Sequence, residues 1–244
     1  MTAPPVTLPA WEILTGWAGQ GQQAVELAAG HLEPGQVAGP SRLPGWSRGH
    51  VLSHLARNAD ALVNLLTWAR TGTETRMYTS PADRADGIEA GAGRALPEQL
   101  ADLAAAGERF AAAAAAVPPD RREFTVRSGQ GRQIPAREVP WLRVREVWLH
   151  LADLDAGYDI DAIPGAVAWA LAADVAGWMS SRTEASAELR AEGQAAPVRL
   201  GHGQKPDTTI EGSPQRIAAW LTGRLGSAAG LTVTGELPDL PRWL

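Results

Sequence analysis

The sequence predicts a mainly α-helical protein, in which a four-helix bundle is followed by a smaller α+β domain. Its 244 residues suffice for one large domain or two modest ones. Up to about residue 159, four segments carry apolar residues at helical spacing, whereas short extended runs alternate with helical segments after that point. We therefore expect residues 1–159 to form the bundle and residues 160–244 to form the α+β domain.

The first two helices of the predicted bundle differ in how clearly their ends are marked. The first covers residues 8–31, with an apolar side that is loosened by two glycines. The second follows Ser47, a good N-cap, and ends at Gly72. We expect the second helix to be the better defined of the two.

The remainder of the bundle contains two more helices and two irregular connections. The polar residues 70–94 predict a long loop, and the alanine-rich residues 96–116 predict the third helix, which is stopped by the prolines that follow. Residues 123–131 predict a short hairpin or a loop excursion. The fourth helix then runs from Pro135 to about Asp155.

The carboxy-terminal segment alternates between helical and extended patterns. Ser213 is a good N-cap with proline at the first helical position, so a helix is expected to start there. The other predicted elements are a long helix at residues 164–192 and strands near residues 197–200, 208–211 and 231–235. This order of elements predicts an α+β domain.

Composition excludes several classes of function. The net charge of −5 argues against a nucleic-acid partner, and no apolar run is long enough to cross a membrane. The first residues lack the pattern of a signal peptide, so we expect a cytoplasmic protein. The chain has no cysteine, and any catalytic thiol must therefore come from outside. No pattern predicts the oligomeric state.

The fourth predicted helix carries the first candidate site. Its surface is apolar except for a narrow stripe with Arg143, Glu146, His150 and Asp153. Glu146 and His150 are four residues apart, so their side chains project from the same side and can share one divalent metal. The alternative is that the stripe is the solvated face of an amphipathic helix, and only a third ligand elsewhere excludes it.

The second predicted helix contains two candidates for that third ligand. His50 and His54 have the spacing of a metal-binding pair, and Asn58 lies one turn further. A histidine beside an apolar helix face is more often structural or exposed than a ligand. Spacing alone ranks His50 and His54 almost equally.

Three motifs resemble those of the mycothiol-dependent maleylpyruvate isomerase family, which belongs to the DinB-like metalloenzymes. Residues 43–60 resemble the second helix of that family, and residues 145–154, with the pattern R-E-V-x-x-H-x-x-D-L, resemble its fourth helix. Residues 220–224 (W-L-T-G-R) resemble a motif in its second, sterol-carrier-protein-like domain. The motifs occur in the right order, and they imply a DinB-like bundle followed by a sterol-carrier-protein-like domain.

The resemblance implies a metal bound by His54, Glu146 and His150, and it selects His54 over His50. Two histidines and a glutamate with an open fourth position are typical of catalytic zinc sites. We therefore expect zinc, although the mixed nitrogen and oxygen ligands also suit other divalent ions.

The resemblance further implies an isomerase that uses mycothiol as cofactor and converts maleylpyruvate to fumarylpyruvate, a step in gentisate-type degradation of aromatic compounds. A metal-bound thiolate would add to the cis double bond, which rotates before the thiol is eliminated. No residue is assigned to the mycothiol pocket. Two alternatives stay open: a mycothiol S-transferase acting on another electrophile, and a family member that binds without catalysis.

Arg224, in the carboxy-terminal motif, is implied to bind the carboxylates of the substrate. This requires the second domain to close over the metal. The alternative is that Arg224 only complements a helix dipole. Asp153 and Asn58 are expected to orient the histidine ligands, and Arg143 is a further candidate without an assigned role.

Overall fold

The structure is a computed structural model that describes residues 8–202, 205–225 and 228–243. It is mainly helical with a small sheet, so the predicted fold class is confirmed. Contacts between Cα atoms divide the chain into two units, one of Pro9–Asp159 and one that begins at Ile160 and also includes Leu8. Within the described ranges, no helix has both the length and the apolar character needed to cross a bilayer. Residues 1–7, which lack a signal-peptide pattern, lie outside the described part.

The first unit is built around four long helices, with a shorter helix and a hairpin between them. The helices are α1 (Trp11–Gly30), α2 (Arg48–Thr71), α3 (Pro81–Ala92), α4 (Leu96–Ala115) and α5 (Val139–Asp153), and the hairpin strands are β1 (Thr125–Arg127) and β2 (Gln133–Pro135). Helix α1 packs against α4 and α5, and so does α2. Helices α1 and α2 are therefore diagonal neighbours, and α2 meets α5 in the bundle.

The ends of α2 are formed as the sequence predicts. The Ser47 hydroxyl accepts a hydrogen bond from the backbone N–H of His50, and Gly72 adopts the left-handed conformation, with a φ of 79°. Along the helix, Leu55, Leu62 and Leu66 are fully buried. Burying each leucine contributes roughly 1.5–3 kcal/mol, so this apolar side anchors α2 in the bundle.

The close approach of α1 and α5 depends on Gly21. A Cβ atom at this position would overlap the side chains of Val147 and Trp148 on α5. The indole N–H of Trp148 also donates a hydrogen bond of 3.0 Å to the carbonyl of Trp17. Glycine inside a helix costs about 1 kcal/mol relative to alanine. Here that cost is offset because Gly21 permits α1 and α5 to pack closely.

The prediction of a loop at residues 70–94 is wrong, because α3 lies inside it. Ser80 caps this helix by accepting a hydrogen bond of 3.0 Å from the backbone N–H of Asp83. Ile88 is buried, and the Ser53 hydroxyl on α2 donates a hydrogen bond of 2.8 Å to its carbonyl. Only a small part of α3 is buried, so its polar composition resembles that of a loop.

The second unit packs two helices and a four-stranded sheet together. Its elements are α6 (Gly165–Ser180), β3 (Ala187–Ala191), β4 (Val198–Leu200), β5 (Thr208–Gly212), α7 (Pro214–Leu221) and β6 (Leu231–Thr234). The strand order is β4-β3-β5-β6, and β3 and β5 run parallel, whereas the other neighbours are antiparallel. Helices α6 and α7 contact each other as well as the strands.

Two predicted helix boundaries are wrong. The helix expected at residues 164–192 ends at Ser180, and the segment beyond it contains β3, whose residues alternate in burial and pair with β4 and β5. The fourth bundle helix begins at Val139 because the residues before it form β2 and a short 3-10 turn. In both cases, pairing with a neighbouring strand overrides the local helical pattern.

Candidate metal centre

Three side chains from two helices converge in the bundle. His54 comes from α2, and Glu146 and His150 come from successive turns of α5. The Nε2 atom of His54 lies 2.8 Å from Glu146 Oε2, and the Nε2 atom of His150 lies 3.3 Å from the same oxygen. The two imidazole rings meet edge to face, with centroids 4.8 Å apart. The Glu146 carboxylate therefore lies against both histidines.

This arrangement fits a divalent metal. One ligand atom from each of the three residues can be chosen so that all three lie within 4.8 Å of one another. Ligands that bind zinc tetrahedrally at about 2.0–2.2 Å are roughly 3–3.5 Å from each other. The observed separations are close to this range, and His54, Glu146 and His150 thus form a candidate metal site. Two nitrogen donors and one carboxylate match the donors of catalytic zinc sites.

The three ligands are neither fully buried nor freely exposed. The His54 side chain is 5% exposed, whereas those of His150 and Glu146 are 15% and 29% exposed. The site therefore has an inner wall at His54 and an accessible side at Glu146. An ion held here keeps a direction from which a small molecule can approach.

Electrostatics in the cluster favour an ionised carboxylate. Desolvation raises the pKa of Glu146, but hydrogen bonds with His150 and His54 outweigh this effect and hold its pKa well below the usual range. Burial lowers the pKa of His54, and the Glu146 carboxylate only partly opposes this. Burial also lowers the pKa of His150, but Asp153 and Glu146 outweigh it and raise that pKa. The carboxylate is thus ready to bind a cation, and a proton competes most strongly at His150.

The two histidines have different outer partners. The Nδ1 atom of His150 lies 2.9 Å from Asp153 Oδ2, the usual arrangement for a ligand histidine. The Nδ1 atom of His54 instead lies 3.4 Å from Nη2 of Arg84 on α3. The Trp46 ring packs edge-on against the His54 ring, with centroids 5.4 Å apart. Both imidazoles are oriented by neighbouring side chains.

His50 has a different environment. Its Nδ1 atom lies 2.6 Å from the Ser47 hydroxyl and accepts a hydrogen bond of 3.1 Å from the Ser47 backbone N–H. Its Nε2 atom lies 3.3 Å from the carboxylate of Glu89. His50 therefore completes the cap of α2 and lies outside the group of candidate ligands.

Arg143 and Asn58 belong to a buried polar layer of the bundle. The guanidinium of Arg143 is 1% exposed and donates hydrogen bonds to the Leu55 carbonyl, to Oδ1 of Asn58 and to Oε1 of Gln22, at 2.8, 2.9 and 2.6 Å. Burial lowers the pKa of Arg143 to about 10, so it stays charged at neutral pH. We expected Asn58 to orient a histidine, but its side-chain oxygen supports Arg143 instead.

Arg224 lies in the second unit, just beyond the end of α7. Its backbone N–H donates a hydrogen bond of 2.8 Å to the carbonyl of Ala219, and its Nη1 donates one of 3.2 Å to the carbonyl of Thr222. Gly223 before it has a φ of 71°. These contacts define its local position only, and its assignment to the substrate stays a prediction.

Sequence reasoning missed Trp46 and Arg84 as neighbours of the candidate metal ligands. Arg84 lies in the stretch for which a loop was expected, and no periodic pattern links it to His54. A recognised Ser80 cap would have revealed α3, but not which of its residues faces the cluster.

The comparisons with known proteins point to one family. Residues 18–155 match the family model described as the mycothiol maleylpyruvate isomerase N-terminal domain. The crystal structure of a mycothiol-dependent maleylpyruvate isomerase is 32% identical and has a TM-score of 0.85, and that of its histidine-to-alanine mutant is 31% identical with the same score. Each alignment covers 97% of this chain and 98% of the other. No curated protein sequence matches. The chain therefore belongs to the mycothiol maleylpyruvate isomerase family.

Proposed function

We propose that this protein is a metal- and mycothiol-dependent isomerase that converts maleylpyruvate to fumarylpyruvate. The observation that carries the proposal is the convergence of His54, Glu146 and His150 in a chain of this family. Both solved relatives are named mycothiol-dependent maleylpyruvate isomerases. An identity near 30% supports the reaction class more strongly than the particular substrate.

The metal is proposed to be zinc, held by the two Nε2 atoms and the Glu146 carboxylate. A divalent ion there would lower the pKa of the mycothiol thiol and so supply a thiolate at neutral pH. Glu146 contributes the negative charge that attracts the ion, and its low pKa keeps that charge in place. Asp153 fixes the ring of His150 and the tautomer that leaves Nε2 free to bind.

The isomerisation requires no net gain or loss of atoms. Addition of sulfur to the cis double bond leaves a single bond that can rotate, and loss of the same sulfur restores the double bond in the trans form. Negative charge develops on the conjugated carbonyl oxygen during addition, so a nearby cation lowers the barrier. The chain has no cysteine, so the nucleophile has to be supplied by the added thiol.

Arg224 is proposed to bind a carboxylate of the substrate. The support is the W-L-T-G-R motif at residues 220–224 and the suitability of a guanidinium for bidentate carboxylate binding. The assignment of Arg224 is tested separately from that of the metal ligands, and disproving it would leave the metal site unaffected.

The test is a spectrophotometric assay of the purified, dialysed protein with maleylpyruvate. Activity should be absent without thiol and should return with mycothiol in catalytic amounts. If mycothiol is consumed in proportion to product, the protein is a mycothiol S-transferase on the same scaffold. If metal-loaded protein neither isomerises the substrate nor consumes mycothiol, the proposed reaction is wrong.

A further inference from the structure

The outer nitrogens of the two candidate histidine ligands face groups of opposite charge. His150 Nδ1 faces the Asp153 carboxylate, which accepts a proton, at 2.9 Å. His54 Nδ1 faces the Arg84 guanidinium, which can only donate, at 3.4 Å. A ligand histidine normally donates its other N–H to an acceptor. The pair formed by His54 and Arg84 does not follow this rule.

The position of the proton on His54 decides whether Arg84 has a partner. Because a guanidinium cannot accept, the 3.4 Å contact with Arg84 is a hydrogen bond only when Nδ1 is unprotonated and the proton of a neutral ring lies on Nε2, towards Glu146. A metal on Nε2 requires that atom to be unprotonated, and the proton then moves to Nδ1. Two donors, Nδ1–H and the Arg84 guanidinium, would then face each other without an acceptor.

Among the described residues, the surroundings of Arg84 contain no carboxylate that could separate these two donors. Arg84 is half-buried in the first turn of α3, and no carboxylate in the described parts of the chain lies within ion-pair distance of it. Tyr78 also lies near Arg84: burial raises the pKa of the Tyr78 phenol, while the charge of Arg84 lowers it. A half-buried cation with a phenol and an imidazole N–H beside it lacks an anion.

We propose that Arg84, together with the Nδ1–H of His54, binds a carboxylate group of the substrate when a metal occupies Nε2. The identification of that carboxylate as the substrate's rests on the proposed function, whereas the anion site itself does not. Metal binding turns His54 from an acceptor into a donor, and this releases Arg84 to pair with an anion. Metal and dicarboxylate should therefore increase each other's affinity.

The competing explanation is that Arg84 only positions the His54 ring. The two explanations differ in their effect on the metal. If Arg84 positions the ring, Arg84→Gln should weaken zinc binding. In our proposal Arg84→Gln should not weaken zinc binding. The glutamine side-chain oxygen can accept a hydrogen bond from the Nδ1–H of His54, so two donors no longer face each other.

The experiment uses zinc and succinate, a saturated dicarboxylate that cannot be isomerised. Zinc affinity is measured by chelator competition with and without succinate, and succinate affinity by calorimetry of the zinc-loaded protein. Arg84→Gln is compared with wild type and with Arg76→Gln, which alters an exposed arginine before α3 that pairs with Glu74. Zinc content and melting temperature are recorded for each variant. A further variant, Arg84→Lys, keeps the positive charge but lacks the two parallel N–H donors of a guanidinium.

In wild type and in Arg76→Gln, succinate should raise zinc affinity. In Arg84→Gln, zinc alone should bind at least as tightly as in wild type, while succinate should bind about 10- to 100-fold more weakly because charge-assisted hydrogen bonds are lost. Arg84→Lys should lie between them. Wild-type succinate affinity in zinc-loaded Arg84→Gln would overturn the proposal, and so would weaker zinc binding without a change in succinate binding.

Failure of the proposed function would look different. If the wild-type protein does not isomerise maleylpyruvate but succinate binding still depends on Arg84 and zinc, the anion site stands and the substrate is another carboxylate. If the wild type is an active isomerase and Arg84→Gln keeps its KM for maleylpyruvate, the function stands and the role of Arg84 is wrong.

Discussion

Asp153→Asn is the sharpest test of how the bundle supports its candidate metal ligands. The Asp153 side chain is only 2% exposed, and its Oδ2 atom lies 2.9 Å from His150 Nδ1. Asparagine has nearly the same shape, so the packing is preserved, but its carbonyl is a neutral acceptor. The substitution therefore removes the negative charge that increases the basicity of His150 and leaves the fold in place.

The expected loss is a 10- to 100-fold weaker affinity for zinc, the usual effect of changing a hydrogen-bond partner of a ligand histidine. This corresponds to about 1.4–2.7 kcal/mol. A second effect opposes it at low pH. Without Asp153, burial lowers the pKa of His150 with less opposition, so a proton competes less with the metal. The difference between variant and wild type should hence be largest above the raised pKa of His150 and should narrow as the pH falls.

Zinc affinity should be measured by competition with a chelating dye at several pH values on either side of neutrality. Asp155→Asn is the matched control, since Asp155 lies two residues further, is 45% exposed and pairs with Arg42 and Arg48 instead of a histidine. It should keep wild-type zinc affinity. An unchanged affinity in Asp153→Asn at high pH, or an equal loss in Asp155→Asn, would refute the reasoning.

Substitutions at four further residues test other parts of the structure. Arg143→Ala removes the donor of three hydrogen bonds, two of them fully buried, and opens a cavity, so the free energy of unfolding in urea should fall by about 3–5 kcal/mol. His50→Ala should cost about 1 kcal/mol of stability through the lost cap but keep the metal, whereas His54→Ala should lose most of it in elemental analysis. Arg224→Ala and Arg224→Lys should keep metal and melting temperature but lose roughly 30- to 1000-fold in kcat/KM, because the proposed bidentate contact with a substrate carboxylate would be lost.

Much of the fold could be predicted because its signals are local. The cap at Ser47, the left-handed Gly72 and the proline after Ser213 each act within one turn of chain, and the structure confirms the elements they delimit. The missed elements depend in part on distant partners. Strand β3 (Ala187–Ala191) is stabilised by its parallel pairing with β5, and α3 by its packing on α2. Neither kind of contact is visible in a short stretch of sequence.

The candidate site likewise depends partly on local spacing and partly on packing between helices. Glu146 and His150 lie together because a helix places residues four apart on the same side, which is a rule of spacing alone. Their meeting with His54 depends on how α2 packs against α5, so spacing could not choose between His50 and His54. The resemblance to the family made that choice. Arg84 comes from a third helix that neither argument predicted.

The net charge of the candidate ligands and the groups in contact with them bears on the proposed role of Arg224. Glu146 and Asp153 carry two negative charges and Arg84 carries one positive charge, and the histidines are neutral when they bind a metal. A divalent ion would make this group singly positive, and a thiolate would then neutralise it. The proposed substrate has two carboxylates and gains further negative charge during addition, so a neutral group does not suffice. Arg143 lies close by but is buried. The proposed reaction would therefore use a second accessible cation. Arg224 is our candidate for it, and near-wild-type turnover in Arg224→Ala would mean that the cation comes from another residue.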